Sequence, residues 1–221
     1  MNPDWQTADI KAPVSYINPL PSYSRASGFP VTWSGCDIGL AGISTYDIQA
    51  RVGNSTWMMW QSGTSATSAV YHGSAGHTIY FRSRARDSAG NTTAWSTAPD
   101  GETSTTLYTW QITGTVRDTR GYVTPRASVV ISPAPVTAVT ADALGFYNSY
   151  LKANGAHQLN VTGTGYGTST ARLDQISADK TIGPLVLPPT DDVIGNGNFE
   201  ATGWGVWQGT DPEIELPLYP G

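Results

Sequence analysis

The 221-residue chain has a single cysteine, Cys36, so no internal disulfide can form and stability rests on packing. It holds three lysines (Lys11, Lys152, Lys180) and four glutamates (Glu102, Glu200, Glu213, Glu215), and only 13% of its residues are charged. A net charge of −5 weighs against nucleic acid as a general partner. No hydrophobic run approaches the ~18 residues of a membrane-spanning helix. No stretch longer than a few residues carries an apolar 3.6-residue period, which argues against long helices. Pro3, Asp4 and Trp5 do not make the start of a secretory leader, and the chain reads as a piece of something longer.

Catalytic vocabulary is equally thin. There is no G-x-S-x-G elbow, and His72 and His77, which flank a turn, have no Cys, Asp or Glu nearby at metal-ligand spacing. Three of the four glutamates fall in the last 22 residues, which does not suit a glycosidase pair facing one cleft. Most aspartates stand in turn contexts such as Asp87-Ser, Asp118-Thr and Asp142-Ala, where their carboxylates cap backbone N–H groups. These absences point away from an enzyme.

What the chain does have is alternation. In Thr78 to Asn91, Ile79, Phe81, Ser83 and Ala85 share one face, and Tyr80, Arg82, Arg84 and Arg86 share the other. Arginines on one strand face cannot point into a core, so Ile79 and Phe81 go in and the arginines form a solvated face. Ile43 to Val52 places Tyr46, Ile48 and Ala50 inward in the same way, and Phe29 to Ser34 carries Val31 and Trp33. With Ala12–Ile17, Trp57–Gln61, Ala69–Tyr71 and Thr103–Tyr108 these make about seven short strands. Turns every ~8–12 residues are the mark of a β-sandwich. The turns themselves are supplied by 24 glycines and 15 prolines, as in Gly53-Asn54 and Asn18-Pro-Leu-Pro.

The runs FPVTWSGCDIGLAGISTYDIQARVG and GHTIYFRSRARDSAGNTTAW resemble the fibronectin type III-like and bacterial immunoglobulin-like modules of large secreted proteins. The resemblance covers roughly residues 10 to 108. It departs at Ile79 and Ser83, both on the inward face, which implies one less well packed corner of the core.

Beyond Trp110, the marks are G-x-V-x-D-x-x-G (Gly114 to Gly121), A-x-V at Ala127, D-A-x-G-x-Y (Asp142 to Tyr147) and Gly165-Tyr166. They resemble a transthyretin-like, carboxypeptidase regulatory-type β-sandwich, over about residues 111 to 188. His157 alternates with Leu159 and Val161 and is expected to face a neighbour or solvent. Past Pro188-Pro189, the segments Asn196-Gly-Asn-Phe-Glu200 and Gly203-Trp204 resemble the start of a galactose-binding-like jelly roll, too short to be complete. The expected organisation is therefore all-β: a lead-in over 1–9, one sandwich over 10–109, a second over 110–189, and a tail over 190–221.

Two candidate sites follow. Asp37, Asp87 and Asn91 lie in loops as hard oxygen ligands, with Asp9 near the same end, and could hold Ca²⁺. Ordinary Asx turns are the competing reading, and no other cofactor is expected. Trp57, Trp60 and Tyr80 are carbohydrate-contact candidates, because an exposed tryptophan beside Tyr80 can stack on a sugar ring. Trp57 and Trp60 stand three apart on one short strand and point to opposite faces, so a cover over neighbouring strands competes with sugar binding.

The expected role is a non-catalytic spacer or adhesion unit of a secreted or cell-surface multidomain protein. The alternative is a carbohydrate-binding region beside an extracellular glycan-active enzyme. Partners are other domains of the same polypeptide, carbohydrate in the alternative reading, and a second copy through the tail. The tail holds Phe199, Trp204, Val206, Trp207, Ile214, Leu216 and Leu218, which predicts docking on a sheet edge. Only Thr109 and Trp110 separate the two sandwiches, so Trp110 is expected to wedge between them.

Overall fold

The computed structural model describes residues 9–190 apart from 96–101, 134, 136 and 137. The expectations for the lead-in up to residue 8 and for the tail from residue 191 lie outside the described residues. Among those described, every regular element is a strand. They build two tandem β-sandwiches.

The first contains β1 (Val14–Ile17), β2 (Tyr23–Arg25), β3 (Phe29–Cys36), β4 (Ile43–Val52), β5 (Met58–Thr64), β6 (Ser68–Tyr71), β7 (Thr78–Asp87) and β8 (Thr103–Tyr108). A three-stranded sheet in the order β1-β3-β6 packs on a five-stranded sheet in the order β2-β8-β7-β4-β5. All neighbours pair antiparallel except β2, which runs parallel to β8. Three strands against five, with this order, is an immunoglobulin/fibronectin III-like arrangement.

Alternation along β7 does what its residue types dictate: Ile79, Phe81, Ser83 and Ala85 are buried. The β4 register sets Ile48 opposite Ser83 and Ala50 opposite Phe81, so the inward faces of the two central strands coincide. Aromatic rings fill the space between the sheets. Phe81 meets Tyr71 edge-on at 5.0 Å, Phe29 at 6.2 Å and Trp60 at 5.5 Å, and Trp33 meets Trp60 at 6.1 Å. Such offset and T-shaped contacts follow from the ring quadrupole. The corner at Ser83 is polar: its hydroxyl donates to Ser15 Oγ across the sheets at 3.1 Å, and both residues are buried. Thr105 and Ser24 form a second buried hydroxyl pair at 2.9 Å.

The second sandwich contains β9 (Trp110–Asp118), β10 (Ser128–Ser132), β11 (Val139–Thr140), β12 (Phe146–Leu151), β13 (Gly155–Thr162), β14 (Ser169–Ile176), β15 (Lys180–Thr181) and β16 (Leu185–Leu187). One sheet runs β11-β10-β13-β14, and the other β12-β9-β15, with β16 also parallel to β9. Its core is mostly aliphatic, with Ile112, Val116, Ile131, Leu151, Leu159 and Leu187 all buried around the Tyr147 ring. Gly114 makes room for that ring: a Cβ there would sit 2.6 Å from Tyr147 Oη. The turn after Asp142 needs Gly145 at φ +72°, where a Cβ would also strike Val116 O. The Asp142 carboxylate caps it by accepting from the N–H groups of Leu144 and Phe146.

Several details differ from the sequence-based expectation. β3 continues through Gly35 to Cys36 because β1 pairs with it as far as Val14↔Cys36. Arg82 and Arg84 are half-buried rather than solvated. His157 is buried on the inward face with Leu159 and Val161, its Nδ1 3.1 Å from Gly155 O.

Candidate functional site

Three regions outside the cores gather chemistry-bearing side chains. At one pole of the first sandwich, β4 and β7 pair so that Ile43 stands opposite Asp87. That register brings the loop after β3 and the turn after β7 to the same end. Asp9, Asp37 and Asp87 each place a carboxylate oxygen there, all within 4.8 Å of one another. Gly39 permits the approach, since a Cβ there would land on the Asp9 carboxylate.

Each of these carboxylates also accepts two N–H groups. Asp9 takes Lys11 N–H at 3.0 Å and Ala41 N–H at 2.9 Å, and Asp37 takes Gly39 N–H at 3.0 Å and Gly42 N–H at 2.7 Å. Asp87 accepts from the backbone N–H of Asn91 at 2.7 Å and from its side-chain amide at 2.8 Å. The peptide donors hold the Asp9 carboxyl below its ordinary pKa, the Lys11 N–H contributing most. Asn91 thus spends its amide on Asp87 and on Asp9 O, and it acts as a clamp. Three carboxylates this close suit a hard divalent cation, but their N–H donors also account for them as loop caps.

The outer face of the five-stranded sheet carries the arginines. Arg51 on β4 lies 4.6 Å from the Tyr80 ring and 4.8 Å from Trp57. Arg82 lies 4.4 Å from Trp57 and 5.2 Å from Trp95, and Arg84 lies 4.6 Å from Trp95. Cations and rings therefore alternate as Tyr80, Arg51, Trp57, Arg82, Trp95, Arg84. Acidic and amide partners flank the row: Arg51 bonds Glu102 at 3.0 Å, Arg82 bonds Gln49 at 2.9 Å, and Arg84 pairs with Asp47 at 2.8 Å. Burial works to raise the Asp47 carboxyl, but Gly63 N–H and the Arg84 guanidinium outweigh it and hold its pKa down.

This row explains why Arg82 and Arg84 are half-buried, while Arg86 beyond it is exposed as expected. It also places the sugar candidates. Trp57 has two guanidiniums against its ring, Tyr80 has one, and Trp60 turns inward to pack with Trp33, Tyr71 and Phe81. Trp57, Trp60 and Tyr80 do not form one stacking platform.

The third region is the junction, where only Thr109 stands between β8 and β9. Its N–H donates to Leu151 O at 2.7 Å and its hydroxyl to Lys152 O at 2.8 Å. Tyr150 of the second sandwich stacks on Tyr23 at 4.6 Å and lies 4.5 Å from Tyr108, both of the first. Arg25 on β2 reaches across: it donates to Thr109 O at 3.0 Å, pairs with Asp179, and lies over Tyr108 and Trp110. The other oxygen of Asp179 accepts Gln111 N–H at 2.8 Å. Trp110 packs against the second core and donates to Asn154 Oδ1. Sequence reasoning singled out Trp110 but missed Tyr23, Arg25, Tyr150 and Asp179. Their signal was faint: a three-residue strand and a loop aspartate among ordinary polar residues.

No protein-family model matches the chain, and no curated protein matches it. Among solved structures it is similar to a cohesin–X-dockerin complex chain from Acetivibrio cellulolyticus, at 18% identity over 38% of this chain and 61% of that one, with a TM-score of 0.33. It is also similar to BcpA, the major pilin subunit of Bacillus cereus, at 10% identity over 80% and 71%, TM-score 0.33. A third is a structure of the fibronectin(III)-like modules of Clostridium thermocellum CbhA, at 12% identity over 77% and 95%, TM-score 0.33. The chain thus spans about three fifths of the first of these.

Proposed function

We propose that the chain is a non-catalytic tandem of modules, residues 10–109 and 110–189, that sets the separation and angle between neighbouring parts of a longer extracellular or cell-surface protein. The junction supports this reading best. A chain that only tethers needs no contacts there, whereas here Tyr23, Tyr108 and Tyr150 stack and Arg25 meets four groups at once. A single connecting residue leaves no length for a flexible linker. The extracellular placement rests on the resemblance of the two long runs to modules of secreted proteins. For residues 111–188 the transthyretin-like reading draws support from Asp118, Asp142 and Gly145, which stand in capped turns.

In this reading the three carboxylates at the pole are loop caps, and no cofactor takes part. A melting temperature that rises with added Ca²⁺ and returns with chelator would replace the caps by an ion site. Small-angle scattering tests the tandem itself. One fixed arrangement should fit the wild type, and Trp110→Ser should broaden it. A wild-type profile that needs many inter-module angles contradicts the proposal.

A further inference from the structure

At the edge of the three-stranded sheet, where β6 leaves β3, lies an open cleft of about 460 Å³. β6 pairs with β3 only as far as Thr32↔Ser68, and Trp33 N–H then bonds Thr67 O at 2.9 Å. β3 runs on through Ser34, Gly35 and Cys36 with β1 as its partner on the other side. Peptide groups of alternate residues on a strand face the same way. Gly35, two residues beyond Trp33, therefore turns its N–H and C=O towards the cleft.

Asn18, Thr32, Ser34, Thr67 and Ser68 also line the cleft, together with Trp33 and Tyr46. Asn18 is held in place: its amide donates to Thr32 Oγ1 at 2.8 Å and accepts from Ser34 Oγ at 3.1 Å. One amide N–H and one oxygen lone pair remain to point outwards. The Trp33 indole N–H donates to Ala66 O at 2.8 Å.

This lining decides the class of ligand. No charged side chain is present, so a phosphate or carboxylate finds no cation and a metal ion finds no anionic ligand. A peptide adding as a strand would meet the free groups of one residue only, too short for a ladder. What fits is a compact, uncharged molecule carrying many groups that both donate and accept. The volume falls within the ~300–1,000 Å³ range of small-ligand clefts.

We infer that this cleft binds an uncharged sugar residue of a glycan, its hydroxyls paired with Asn18, Ser34, Ser68 and the Gly35 peptide. The site is distinct from Trp57 and Tyr80, which belong to the arginine row on the outer face of the five-stranded sheet. It is also independent of the spacer reading, since a flexible tandem could bind a glycan and a rigid one could lack the site.

The test is an NMR titration of the whole chain with neutral gluco-, xylo-, manno- and galacto-oligosaccharides, and a uronic acid oligosaccharide as charged control. At least one neutral probe should shift the Gly35 amide, the Asn18 side-chain amide and the Trp33 indole, and the uronate should not. Asn18→Ala should weaken binding roughly tenfold through lost hydrogen bonds. Ser68→Tyr, at an exposed position outside both cores, should block it while the rest of the spectrum stays folded. The inference fails if no neutral probe shifts these signals, or if shifts gather elsewhere, such as around Trp57. An equal response to uronate, or full affinity in Ser68→Tyr, also overturns it.

Discussion

The two sandwiches reach burial by different means. The first fills its core with rings and pairs its buried hydroxyls, Ser15 with Ser83 and Ser24 with Thr105. The second fills its core mostly with aliphatic side chains and leaves the hydroxyls of Thr124, Tyr147 and Ser149 buried with no hydrogen-bond partner among the described protein groups. The first also covers an outer face with alternating cations and rings, and among the described residues the second has no counterpart to that row. The difference teaches where each is sensitive: the first to loss of shape and pairing, the second to loss of aliphatic volume.

The largest expected effect is in the cores. Phe81→Ala should cost about 3–5 kcal/mol, and Leu159→Ala about 2–5 kcal/mol, through lost burial and the cavity left behind. Calorimetry should show each lowering mainly the transition of its own sandwich. Equal movement of both transitions in either variant would break the comparison.

Buried hydroxyls come next. Ser83→Ala orphans Ser15 Oγ and should cost about 1–3 kcal/mol, whereas Tyr147→Phe removes a group without a partner and should be neutral or stabilising. Urea unfolding of the two variants decides this. Burial pushes the Tyr147 phenol up to about 12, so its ionisation, followed by ultraviolet absorbance, should lag behind that of the exposed tyrosines. A Tyr147→Phe cost equal to that of Ser83→Ala would mean its hydroxyl is paired after all.

Acid should weaken both sandwiches, and the first carries two of the three groups responsible. Asp9 and Asp47 in the first, and Asp118 in the second, have folded pKa values below the ordinary 3.8. Burial alone would raise Asp118, but the N–H groups of Tyr122 and Arg120 and the Arg120 guanidinium prevail. A depressed carboxyl contributes stability above its unfolded pKa and loses it as pH falls through the folded one. Melting temperature should therefore stay flat from neutral pH to about 5 and fall below about 4. A rise on acidification would refute these shifts.

The smallest effect separates a built row of charges from a loose one. Arg84 touches Asp47 and Trp95 and is half-buried, so Arg84→Ala should cost about 1 kcal/mol. Arg172 pairs with Asp174, but both side chains are about four-fifths exposed, and Arg172→Ala should change nothing measurable. Equal midpoints for the two variants would mean the row adds no stability.

Much of the first sandwich was legible because its strands are long and alternate cleanly. β7 and β4 announce both their faces, and only one register keeps arginines out of the core. β2, β15 and β16 were not legible: two or three residues cannot display a period, and they exist because β8 and β9 offer edges to pair with. The acid cluster was half legible, since Asp37, Asp87 and Asn91 advertise turns, but only the β4–β7 pairing brings those turns together. The charge row was hidden for a related reason. Its arginines alternate visibly, while Trp57 and Trp95 reach it from outside the strands. The cleft at Gly35 depends on where the pairing of β6 with β3 ends, and no residue type marks that.

In the proposed tandem, Tyr23, Arg25, Tyr108, Trp110, Tyr150 and Asp179 hold the two sandwiches as one body. Residual dipolar couplings measured on the whole chain test it most directly. One alignment tensor should describe both sandwiches in the wild type, and two should be needed once Tyr150→Ala or Arg25→Ala opens the junction. A wild type whose two halves already require different tensors would contradict it.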